Sequence, residues 1–146
     1  MRKLLFIIVA VLASVTCSAQ KVISEENVMH TQTLKTTDLG NQKLVVGINA
    51  GDTAFALSLA TGHKYRVQVT LGGTDDALRM LQFLLDYDAK SGDIIDLENA
   101  SGNVAKWSGA SGYTVYSEGK QFSGHLRKPN IKGFIKAIME FSGRSQ

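Results

Sequence analysis

The chain has 146 residues, 20% of them charged, a formal net charge of +3 and a single cysteine. The first nineteen residues change what those figures mean. Arg2 and Lys3 precede an unbroken apolar run from Leu4 to Ala13, and Cys17-Ser18-Ala19 fits a signal peptidase cut before Gln20. The run is too short for a permanent membrane span, so residues 1–19 read as a cleaved secretory signal. A lipoprotein signal ending at Cys17 is the competing reading, but Ser14, Val15 and Thr16 fit its box poorly. Removing the 19 leaves 127 residues without cysteine, carrying 14 basic and 13 acidic side chains. Disulfides, thiolate metal sites and cysteine nucleophiles are thereby excluded. The near-neutral balance argues against nucleic acid or an anionic membrane as partner, since either needs a concentrated basic field.

In chain order, residues 20–30 read as a loose lead-in and 31–146 as a single α+β domain. Thr31 to Thr37 and Gln42 to Ile48 read as strands, with Asp38-Leu39-Gly40-Asn41 turning between them and Ala50-Gly51-Asp52 turning next. Phe55, Leu57 and Leu59, then Tyr65, Val67, Val69 and Leu71, alternate with small or polar residues on either side of Gly62-His63. This predicts a hairpin with one buried face and a two-residue loop. Thr74 is placed to cap a helix whose polar stripe is Asp75, Arg79, Gln82 and Asp86, with a wide apolar surface over the remainder.

The second half repeats this plan. Ile94, Ile95 and Leu97 suggest a short strand and Asn99 to Asn103 a turn. Val104 to Trp107, Tyr113 to Ser117 and Lys120 to Leu126 suggest three more strands, with Glu118-Gly119 reversing the last two. Pro129 opens a terminal helix with Asn130 as cap and Ile131, Phe134, Ile135, Ile138 and Phe141 at core spacing, ended by Gly143. The expected fold is α+β: a mainly antiparallel sheet of hairpins with two amphipathic helices on one face, its two halves reading as similar strand-hairpin-helix units.

Chemistry is sparse. His30, His63 and His125 lack metal-site spacing. Gly109-Ala110-Ser111-Gly112 misses the nucleophile pattern, because position 113 is Tyr. Asp75 and Asp76 oppose a phosphate at Gly72-Gly73-Thr74, and the acids from Asp86 to Glu98 fail the calcium-loop register at Lys90. Asn99-Ala100-Ser101 is a formal glycosylation sequon. No metal or cofactor is expected. Trp107, Tyr113 and Tyr116, beside Phe122 in a Gly/Ser-rich region, are the candidate ligand-binding residues, because aromatic faces next to glycine loops hold sugars or extended peptides.

Seven acids lie between Asp75 and Glu98, and six basic residues face only Glu140 from Lys120 onward. The leading expectation is an exported, periplasmic or secreted, non-enzymatic module binding a protein, peptide or glycan. The alternatives are a carboxylate hydrolase of envelope or extracellular glycan using Asp86, Asp88, Asp93, Asp96 or Glu98, and a self-associating envelope structural protein. The ligand and the oligomeric state are not readable from the sequence.

Overall fold

A computed structural model describes residues 30–109 and 112–143. The signal at 1–19 and almost all of the 20–30 lead-in lie outside the described residues. So do Ala110 and Ser111.

Among the described residues eight strands form two antiparallel sheets. The first holds β1 (His30–Thr37), β2 (Gln42–Asn49), β3 (Asp52–Ala60) and β4 (Arg66–Gly72) in that spatial order. The helix α1 (Thr74–Asp86) follows. The second sheet holds β5 (Ile94–Asp96), β6 (Val104–Trp107), β7 (Gly112–Tyr116) and β8 (Ser123–Arg127), and α2 (Lys128–Phe141) closes the chain's described part. Each half is thus a four-stranded meander followed by a helix, and the α+β class is as the sequence reads. No helix among the described residues is long and apolar enough to cross a membrane.

The alternation in β3 and β4 sets the core. Phe55, Leu57 and Leu59 face the same side as Val67, Val69 and Leu71, and all six are buried. Leu44 and Val46 of β2 extend that surface, and Ala77, Leu81 and Leu84 of α1 cover part of it. Ala105, Tyr113, Val115 and Leu126 of the second sheet join the same cluster with Ile131, Phe134 and Ile138 of α2. Each large side chain buried there contributes about 1.5–3 kcal/mol. The sheets meet where β8 crosses β3. A Cβ on Gly124 would fall 2.5 Å from Leu59 Cβ and 3.2 Å from the Ala60 carbonyl, so only glycine fits the crossing.

Three local expectations are corrected. The β3–β4 loop has five residues, because Ala60 pairs with Arg66. The Thr61 hydroxyl donates to the Tyr65 carbonyl at 2.6 Å and accepts the His63 N–H at 3.2 Å, holding a wider loop that leaves Tyr65 off the strand and exposed. Gly73 in extended conformation, not Thr74, precedes α1, and the Thr74 hydroxyl instead meets that of Ser142 at 3.3 Å. Helix α2 begins at Lys128, two residues ahead of Asn130, since Pro129 is accommodated in a first turn where its missing N–H costs nothing. The Asn130 amide, freed from capping, reaches across to the first sheet.

Candidate functional site

The three candidate aromatics do not share a surface. Trp107 pairs with Tyr113 in the β6–β7 register and Tyr116 pairs with Val104, so strand alternation turns Tyr116 to the opposite face. Tyr113 is 0% exposed, and its hydroxyl donates to the Leu84 carbonyl at 2.7 Å. Burial pushes that hydroxyl above the ordinary tyrosine range, with the nearby Tyr87 adding to it. Trp107 is half-buried, edge-on to Tyr113 at 5.0 Å, with the Lys128 ammonium 5.3 Å from its ring centre. Phe122 sits against Tyr65 of the long loop at 5.5 Å. These rings tie structural elements together; Tyr113 offers no surface to a ligand, a correction that follows from its inward register.

The acids from Asp86 to Glu98 also have local duties. Asp86 accepts from the Gln82 amide at 2.9 Å, and Asp96 accepts the Glu98 N–H at 2.9 Å. Asp93 accepts the Lys90 N–H at 2.9 Å and the Tyr87 hydroxyl at 3.3 Å, and its negative charge raises the Tyr87 hydroxyl above the ordinary range. No described aspartate or glutamate is buried. Among the described residues no three His, Cys, Asp or Glu side chains gather as a metal site would require. His30 and His63 are exposed, on β1 and in the 61–65 loop, and His125 is half-buried on β8.

What the fold does build is a groove of about 580 Å³ where the two sheets present neighbouring edges. Strand β4 ends the first sheet and β5 begins the second, so among the described residues each pairs on one side only. The gap at β4 is bridged by side chains. The Asn99 amide donates to the Thr70 carbonyl at 2.9 Å, the Ser101 hydroxyl accepts the Thr70 N–H at 3.1 Å, and the Ser101 and Thr70 hydroxyls are hydrogen-bonded. Asn103, buried, accepts from the Asn99 amide at 2.8 Å and donates to the Tyr116 carbonyl at 3.0 Å. A glycan on Asn99 would take the place of one of the two amide hydrogens that make these bonds.

Beside this joint, Met80 and Phe83 of α1 face Ile95 and Leu97 to make an apolar floor. Asp76, Asp96 and Glu98 stand around it, against the single cation Arg79, which bonds Asp76 at 3.0 Å. Phe83 is 50% exposed and continues onto a second shallow depression shared with Tyr87, Asp86 and Asp88; its ring lies 5.4 Å from that of Tyr87. Ile94 at the outer edge of β5 is 62% exposed. An apolar surface that stays open to water marks an interaction site more often than a packing fault. One sequence signal points here. The apolar arc of α1 is wider than a single packing partner covers, so part of it has to remain open.

No protein-family model, curated protein or solved structure matches the chain.

Proposed function

We propose that this protein is an exported, non-enzymatic binding module that holds a segment of protein carrying apolar and basic side chains. The acid-rimmed apolar groove between α1 and β5 carries this reading. Its floor of Met80, Phe83, Ile95 and Leu97 gains from covering, and its rim of Asp76, Asp96 and Glu98 selects cationic neighbours. Strand β5 has one unpaired edge, along which an extended segment gains backbone hydrogen bonds. The burial of Tyr113 in the core and the position of Lys128 over Trp107 favour a peptide over a sugar in this reading. Export rests on the signal-like residues 1–19 alone.

The test is fluorescence anisotropy with a labelled short peptide alternating lysine and leucine, against the same peptide with glutamate for lysine. Binding of the lysine peptide is expected, weakened by salt and abolished by Asp96→Lys with Glu98→Lys. Equal binding of both peptides, or of neither, overturns the reading.

A further inference from the structure

Among the described residues, Leu39 is the one large apolar residue that the fold holds entirely in water, at 106% exposure. Its backbone is left-handed (φ +57°, ψ +33°), as is that of Asp38 (φ +50°). That well is disfavoured for residues with a Cβ, and burial returns nothing for it. The turn is nevertheless anchored from both sides. The Asp38 carboxylate accepts from the Gln42 amide at 2.6 Å, the Asn130 amide at 3.2 Å and the Arg127 guanidinium at 3.2 Å. Arg66 donates to the carbonyls of Gly40, Asn41 and Ser58 at 2.9, 3.2 and 3.0 Å. A strained residue held this firmly, with its apolar side chain pointing outward, is pre-organised for insertion. Its surroundings are basic: Arg66, Arg127 and Lys43, whose side chain passes beside Gly40.

We infer that the Leu39 turn enters the acid-rimmed groove of a second copy of this chain. The inference rests on the reading of that groove as a protein-binding site and names its partner. Charge complementarity carries the choice. Arg66, Arg127 and Lys43 outnumber Asp38 around the plug, and Asp76, Asp96 and Glu98 outnumber Arg79 around the receptor. The two surfaces cannot meet within one molecule. The β1–β2 turn and the Arg66 end of β4 share one end of the first sheet, while Leu71 lines the groove toward the other end, ~17 Å along the strand at 3.3 Å per residue. The contact is therefore between unlike patches, and each added copy leaves one plug and one receptor open. Such pairing builds open chains of molecules, or closed rings where the rotation between copies closes.

Sedimentation velocity over a concentration series tests this on the purified protein. The weight-average sedimentation coefficient is expected to rise with concentration and to fall again with added salt. Leu39→Asp, which keeps its groove, and Asp96→Lys with Glu98→Lys, which keeps its plug, are each expected to sediment as monomers. Mixed together they should give a heterodimer and nothing larger. Leu39→Gly separates folding from association: glycine occupies that backbone at lower cost, so the melting midpoint rises while self-association is lost. A wild-type protein that stays monomeric throughout, unchanged association in Leu39→Asp, or a mixture without heterodimer overturns the inference. If the wild type is monomeric yet still takes the lysine peptide, only the partner is wrong; if it takes neither, the groove reading falls as well.

Discussion

Replacing Tyr113 by Phe removes one oxygen from the best-buried polar contact between the two halves. Leu84 lies in the last turn of α1, and the helix N–H that would have reached its carbonyl does not exist, because the chain leaves the helix at Tyr87. The Tyr113 hydroxyl serves that carbonyl from the second sheet at 2.7 Å. In Tyr113→Phe the ring keeps its edge contact with Trp107, but a buried acceptor is orphaned at a cost of about 1–3 kcal/mol. With a urea slope of about 2 kcal/mol per molar, the unfolding midpoint moves down by ~1 M at neutral pH. The pH dependence gives a second readout. The folded state holds the Tyr113 proton above the ordinary range, while the unfolded chain releases it near pH 10. The unfolded state thus binds fewer protons above pH 10, and stability falls as pH rises through that window. Tyr113→Phe loses this part of the alkaline decline and keeps the part due to Tyr87, whose hydroxyl is raised chiefly by Asp93. An unchanged urea midpoint together with an unchanged alkaline slope would refute the argument that this hydroxyl joins the second sheet to α1.

Gly124→Ala places a methyl 2.5 Å from Leu59 Cβ; forcing β8 off β3 is expected to cost about 1–3 kcal/mol in chemical denaturation, and a neutral result would mean the sheets slide freely. Asn103→Ala removes a donor to the Tyr116 carbonyl and one of the two acceptors of the Asn99 amide, at a cost of ~2 kcal/mol, read as a lower thermal midpoint. Phe83→Ala, at a half-exposed position, should change stability by no more than about 0.5 kcal/mol while abolishing capture of the lysine peptide; retained capture would exclude Phe83 from the binding floor.

What the sequence made legible follows the range of the forces involved. Alternation along Phe55–Leu59 and Val67–Leu71 is local and strong, and these residues form the core as expected. The spacing of Ile131, Phe134 and Ile138 is equally local, and all three are buried. The division into two sheets was not legible, because it depends on Asn99 and Ser101 sealing the edge of β4 with side chains in place of a fifth strand. The direction of Tyr113 required the β6–β7 register, which turns on a loop whose composition reads simply as flexible. Thr74 looked like a cap by type, yet Gly73 is the residue whose backbone is extended. The groove lies between elements whose separate patterns resemble ordinary core faces. Leu39 was legible as part of a turn, but its left-handed backbone depends on Asp38 being claimed by Asn130, 92 residues away.

That separation has a consequence for how the molecule comes into being. The edge strand β1 lies under α2, with the Lys35 side chain filling the space at Gly133, and the Asp38 turn waits for Arg127 and Asn130. On a growing chain these partners follow Asp38 by 89 and 92 residues, so the first meander remains without its clasp until that stretch has been made. Closure across so long a stretch is slow. The first meander therefore gains its clasp only once β8 and α2 have been laid against it.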